Sequence, residues 1–151
     1  MMSRRFADFT VGRCFVSRSH TIDAAEIVEF ARQFDPQAAH LDEQTSGENL
    51  LGGLAASGWQ TAAISMRLFV ETMEVTGGII GRAVDELRWP VAVRPGDTLR
   101  VEIEIIEARL SKSLTGFGIM RYRSLTKNQH DVVVQSFVAT ALLPATASDM
   151  P

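Results

Sequence analysis

The stretch LGGLAASGWQTAAISMRLFVETM, residues 51–73, decides the fold. From about Ala55 or Gly58 to Met73 it reads as a helix in which Trp59, Ala63, Met66, Val70 and Met73 recur at steps of four and three and so share one side. Ile64, Leu68 and Phe69 make other sides apolar as well. Such a helix is expected to be surrounded by the rest of the chain, with Met66 and Met73 as core packing and Trp59 as core or pocket wall.

What surrounds it is written in the second half. Leu99-Arg100-Val101-Glu102-Ile103-Glu104-Ile105 alternates strictly between apolar and charged, the pattern of a strand with one wet face and one face against a core. Further strands are expected over Ala83 to Val93, about 114 to 126 and about 132 to 143. Breaks of turn composition separate them, at Arg94-Pro95-Gly96-Asp97, Ser111-Lys112-Ser113 and Asn128-Gln129-His130-Asp131. Thr10 to Ser17 adds a strand at the front. An antiparallel sheet with one apolar face has to cover it, and the helix beginning near Gly58 is the element long and apolar enough. The expected fold class is α+β: a single hot-dog fold, a curled antiparallel sheet wrapped around a long central helix. One unit leaves sheet edges and a helix flank uncovered, so a homodimer or higher homo-oligomer is expected.

Composition sets the bounds. The chain has 151 residues, 46% apolar and 22% charged, which fits one globular domain over 1–143 with 144–151 (PATASDMP ends it) as a disordered tail. A net charge of -3 gives no basic footprint for nucleic acid. The start MMSRRF lacks the apolar core of a signal peptide, and no membrane association is expected, so the expected location is cytoplasmic. Cys14 is the only cysteine, which excludes an intramolecular disulfide and a cysteine zinc cluster; it reads as a small buried hydrophobe.

Upstream of the central helix lies the chemistry. Asp23 followed by Glu26 resembles a capping box for a helix over 24–33, with Ile27, Phe30, Ala31 and Phe34 on one face. It delivers the chain to Phe34-Asp35-Pro36-Gln37-Ala38-Ala39-His40. In a continuous helix, residues five apart point roughly 140° from one another and would not converge. Pro36 disfavours helical backbone at Asp35, so Asp35 and His40 can face one another across a short irregular loop. An acid and an imidazole placed so are a candidate acid/base pair.

Here the residues resemble a known family, the MaoC-like dehydratases, which include the (R)-specific enoyl-CoA hydratases. That family's motif has an aspartate, then asparagine-proline, then a histidine five positions after the aspartate; FDPQAAHLDE keeps the spacing of Asp35 and His40 and the following Leu41-Asp42. Ala56-Ser57-Gly58-Trp59, Asp85-Glu86-Leu87-Arg88-Trp89-Pro90, Val93-Arg94-Pro95-Gly96-Asp97 and Asn128-Gln129 extend the similarity over most of the chain. Gln37 where asparagine is usual, and Ala38-Ala39 where proline and a larger apolar residue are common, are departures that bear on loop rigidity and substrate choice.

The resemblance implies reversible addition of water to a 2-enoyl-CoA thioester, giving an (R)-3-hydroxyacyl-CoA. That chemistry needs a base for water, a proton donor for the α-carbon and hydrogen-bond donors for the enolate oxygen. Asp35 and His40 supply the first two, in either assignment, because coupled groups titrate as a pair. Gly58 supplies the third through its backbone N–H at the start of the central helix, where unpaired donors and the helix dipole favour negative charge, and where glycine allows close approach of the thioester. Gln37, Ser57 and Trp59 stand beside them as candidate substrate contacts. Coenzyme A enters as part of the substrate, and neither a further cofactor nor a metal is expected, although Asp42 and Glu43 follow His40. His20 and His130 are expected to be solvated, as are Asp85, Glu86 and Arg88 on an alternating strand.

Two other functions fit the same fold. Hot-dog thioesterases use a carboxylate on or beside the central helix, yet no Asp or Glu occurs between Leu50 and Val70. A non-catalytic acyl-CoA-binding module is the other, motivated by the altered Gln37 to Ala39.

Overall fold

The computed structural model describes residues 3–43 and 49–149. The first helix, α1, spans Ala24–Phe34. The capping box read from the sequence closes it: Asp23 Oδ1 accepts the Glu26 N–H at 2.8 Å, and a Glu26 carboxylate oxygen accepts the Asp23 N–H at 3.1 Å. Ile27 and Ala31 face inward from it, fully buried. A single turn, α2 (Ala38–Leu41), follows, and the long helix α3 spans Gly58–Met73 with Ser57 as its N-cap.

Six antiparallel strands make the sheet: β1 (Cys14–Val16), β2 (His20–Thr21), β3 (Ile80–Arg88), β4 (Thr98–Leu110), β5 (Phe117–Lys127) and β6 (Val133–Pro144). Their order is β1-β4-β5-β6-β3, with β2 also pairing to β4. The alternation of β4 places Leu99, Val101, Ile103 and Ile105 at no more than 1% exposure, the last three clustered with Leu68, Phe69 and Met73 of α3 and Leu99 with Ile22 and Ile27. The opposite face carries ion pairs such as Glu104 with Arg123 and Glu102 with Lys127. Helix α3 lies across β1, β4 and β6, which is the hot-dog arrangement. Among the described residues no helix is long and apolar enough to cross a membrane.

Several boundaries differ from expectation for physical reasons. Strand β3 ends at Arg88 rather than Val93 because Trp89-Pro90 follows, and proline has no N–H for the ladder. Strand β4 runs on past Ile105 through a bulge between Ile105 and Glu107 that resets its phase. Strand β5 starts only at Phe117, after Gly116 turns the chain at φ +85°. At the front the strand itself is only Cys14–Val16, and Phe15 takes the inward phase, so Cys14 is exposed, contrary to its reading as a buried hydrophobe. His20 sits in β2 with its Nε2 3.1 Å from Glu26 Oε1, so it is engaged rather than simply solvated; His130 is exposed in its turn. Beyond β6, where the composition suggests a loose tail, Ala145 is buried and Ala147–Asp149 forms a 3-10 turn closed by the Asp149 carboxylate on Thr146.

The largest difference concerns α3. Met73 is buried as expected, but Trp59, Met66 and Val70 are 60%, 49% and 55% exposed. The stripe therefore faces away from the chain's own sheet. Strand β3 is likewise almost all exposed, Ile80 and Val84 included.

Candidate active site

The site is built where α1 ends and α3 begins. Asp35 is the C-cap of α1, its N–H donating to Ala31 O at 2.9 Å. Pro36 stops the helix there, as the sequence suggests, but the chain does not stay irregular. Gln37 starts the turn α2, with the His40 N–H donating to Gln37 O at 2.9 Å, and this turn swings the imidazole back toward Asp35. His40 Nε2 lies 3.3 Å from Asp35 Oδ2, with side-chain exposures of only 10% and 18%. The two residues that the spacing marks thus do converge.

A second strut fixes the ring. His40 Nδ1 lies 2.6 Å from Ala55 O, and a carbonyl oxygen only accepts, so Nδ1 carries a proton. Any proton exchange therefore happens at Nε2, the nitrogen facing Asp35. The Ala55 segment is itself held, its N–H donating to Ala39 O at 3.0 Å, while the Ala56 N–H donates to Val93 O at 2.9 Å. Arg94 secures the approach, its guanidinium donating to Leu51 O and to Leu54 O. These residues, with the Asp97 turn that Gln129 ties at 2.9 Å, account for the Val93–Asp97 and Asn128-Gln129 stretches as supports of the site rather than parts of it.

Asp35 accepts at both oxygens. Gln37 Nε2 donates to Oδ1 at 2.6 Å and Ser57 Oγ donates to Oδ2 at 2.7 Å. The Gln37 bond first, then the Ser57 bond, hold the carboxyl below its usual range; burial opposes them and the neighbouring His40 adds to them. Ser57 Oγ also accepts the Trp59 N–H at 3.3 Å as the α3 cap. Gln37 and Ser57, expected among the substrate contacts, both donate to the carboxylate here.

Gly58 is the first residue of α3, so its N–H has no acceptor within the helix. Its lack of a side chain serves a neighbour: a Cβ there would stand 2.6 Å from Cδ2 and Cε2 of Trp89. Trp59 meets the same indole edge-on at 5.1 Å between ring centres. Ala55 O and Trp89 are the contributors that sequence reasoning does not assign to the site. A backbone carbonyl leaves no sequence signal, whereas Trp89 lies within a stretch already singled out by resemblance. Asp42 and Glu43 follow the turn, and 44–48 lie outside the described residues.

An antiparallel sheet around one long helix, with an Asp/His pair at that helix's N-terminus, defines a hot-dog protein of the hydratase and dehydratase class. A family model described as MaoC like domain matches residues 8–128. The uncharacterized protein YdeM of Bacillus subtilis (strain 168) is 32% identical over 128 residues, which are 84% of this chain and 89% of that protein. The MaoC-like dehydratase from Rhodospirillum rubrum has a solved structure that superimposes with a TM-score of 0.86 at 46% identity, covering 91% of this chain and 94% of that one. The unliganded R-hydratase PhaJ1 from Pseudomonas aeruginosa, at 22% identity, shares the fold with a TM-score of 0.74 over 97% of this chain and 92% of its own. The chain belongs to the MaoC-like dehydratase family.

Proposed function

We propose that the protein adds water reversibly to a 2-enoyl-CoA thioester, giving an (R)-3-hydroxyacyl-CoA. The observation that carries this reading is the committed Nδ1 of His40, which leaves Nε2 and Asp35 Oδ2 as two acceptors 3.3 Å apart. One water can donate both its hydrogens to such a pair and present its oxygen lone pair outward, toward the β-carbon of an enoyl thioester.

The carboxylate is held ionised by Gln37 and Ser57, so it is a poor proton acceptor, and His40 Nε2 takes the proton as the water oxygen bonds to the β-carbon. Asp35 stabilises the imidazolium. The electron pair of the double bond moves to the thioester oxygen as an enolate, which the Gly58 N–H at the α3 N-terminus receives. The proton on Nε2 then passes to the α-carbon, so one water is consumed and both groups return to their starting states. No cofactor is needed beyond the coenzyme A of the substrate. The R-hydratase activity named for the PhaJ1 relative is in line with this chemistry.

The working unit is a homodimer. Met66 and Val70 on α3 and Ile80 and Val84 on β3 are each about half exposed, and β3 is an open sheet edge; a second copy covers both.

The test is a panel of 2-enoyl-CoA thioesters, followed by loss of the enoyl absorbance with a thiol reagent present in parallel. Loss of absorbance with no free thiol is the expected result. Thiol release without hydration would replace this reading by thioester hydrolysis. Binding without either would make the protein a carrier of acyl-CoA.

A further inference from the structure

Outside the Asp35/His40 pair, several buried polar side chains of α3, β5 and β6 form one connected chain. Trp89 Nε1 donates to Gln135 Oε1 at 2.8 Å, and Gln135 Nε2 donates to Ser65 Oγ at 3.0 Å. Ser65 Oγ donates to Thr61 O at 2.7 Å and lies 2.7 Å from Thr126 Oγ1, which then acts as donor. The side chains of Gln135, Ser65 and Thr126 are in residues exposed by 1% or less, and Thr61, whose backbone carbonyl ends the chain, by 2%. Polar groups in such a place are costly unless all are paired, and a fully paired set holds one geometry. The one member that reaches the surface is Trp89, 40% exposed.

What the chain fixes, therefore, is an indole ring, and the ring lies against Gly58. Two of its atoms stand 2.6 Å from the position a Cβ on Gly58 would take, so the ring touches the glycine's Cα face. Asp35 reaches the same helix end through Ser57. Acid/base pair and indole are thus both anchored at the N-terminus of α3, beside the N–H that receives the carbonyl oxygen in the proposed reaction. Atoms within a bond or two of that carbonyl carbon come within contact range of the ring.

We propose that Trp89, held by Gln135, is a specificity-determining residue: its indole is the wall that limits the width of the acyl group beside the thioester carbonyl. This rests on the hydratase reading above. Unbranched 2-enoyl chains pass the wall, and chains with a methyl branch at the α-carbon or an aromatic β-substituent meet it.

The experiment compares kcat/KM for crotonyl-CoA with that for its 2-methyl-branched and phenyl-substituted counterparts, in wild type, Trp89→Val, Trp89→Phe and Gln135→Met. A single methylene in a pocket is worth roughly 10- to 200-fold in kcat/KM. Trp89→Val is expected to shift the bulky-to-crotonyl ratio upward by about 10-fold or more. Gln135→Met, which leaves the ring but removes its anchor, shifts the ratio the same way by less, and Trp89→Phe falls between wild type and Trp89→Val. If the variants lose activity equally on all substrates, with the ratio unchanged, Trp89 is only structural and the proposal is overturned.

A second readout does not depend on turnover. The chain has two tryptophans, so Trp59→Phe leaves Trp89 as the sole tryptophan, read by excitation at a wavelength where Tyr122 does not absorb. Titration with butyryl-CoA, which lacks the double bond, is expected to change its emission saturably. Calorimetric binding without that change would also overturn the proposal. Absence of both binding and turnover for every thioester in wild type would overturn the hydratase reading itself, and this inference with it.

Discussion

The two stretches of helix α3 differ in what holds them. At its first turn, polar bonds do the work: Ser57 joins the helix to Asp35, and the Trp89 ring packed on Gly58 is tied through Gln135 to Ser65. Further along, on the outward side, Met66 and Val70 have only apolar surface to offer and stand about half exposed. Hydrogen bonds with directions fix atoms to within tenths of an ångström, which chemistry needs. An apolar stripe asks only for cover, which a second copy of the chain can give. In the proposed reading the same helix positions reacting groups at one end and offers an assembly surface along its length.

The sharpest way to break the polar end is His40→Ala. Positioned acid/base groups contribute roughly 100- to 10,000-fold, and turnover of the best thioester is expected to fall by that order in steady-state assays. Asp35→Asn is expected to fall by a similar factor, because the amide cannot stabilise an imidazolium. On the apolar stretch, Met66→Asp places a charge on the face proposed to meet a second copy. Sedimentation equilibrium is expected to show the wild type as a dimer at micromolar concentration and the variant shifted toward monomer; a wild-type monomer would end the assembly reading.

Smaller effects sharpen the same contrast. Ser57→Ala removes the α3 cap together with a donor to Asp35, and urea unfolding should register a loss of about 1 kcal/mol, within the usual 0.5–2 range for such caps. Gln37→Ala acts on titration. Its bond is the main cause of the lowered Asp35 value, so the contribution of Asp35 to stability is present above the ordinary aspartate pKa of about 3.9 and is lost as pH falls through the lowered folded value. Without Gln37 the folded value lies nearer the ordinary one, so that loss should be smaller and be complete at higher pH, visible as a shallower acid limb when wild type and variant are unfolded side by side. An unmoved limb would mean that the Gln37 bond does not set the carboxyl's proton affinity.

Much of this was legible in the residues. The period of 58–73 marked α3 to its last residue, Asp23 and Glu26 marked the start of α1, and the five-residue spacing marked Asp35 and His40 as two side chains that can meet. The direction in which the Trp59–Val70 stripe faces was not legible, because periodicity says which residues share a side but not whether their cover comes from the same chain. Nor was the phase of β1, since three residues are too few to tell Cys14 from Phe15 as the inward one. The turn α2 is not legible because Pro36 suggests a loop, whereas proline also fits shortly before a new helical turn. The Gln135 anchor is a single polar residue inside an apolar strand, and its partner Trp89 is 46 positions away in sequence.

The central claim is that Asp35 and His40 together move the proton of an added water. It is tested most directly by running wild type and His40→Ala on the thioester the wild type turns over best, with the configuration of the 3-hydroxyacyl product determined. The account expects the (R) product from wild type and a loss of roughly 100-fold or more in the variant, with its thermal unfolding still cooperative. Near wild-type turnover by a folded His40→Ala protein would contradict it.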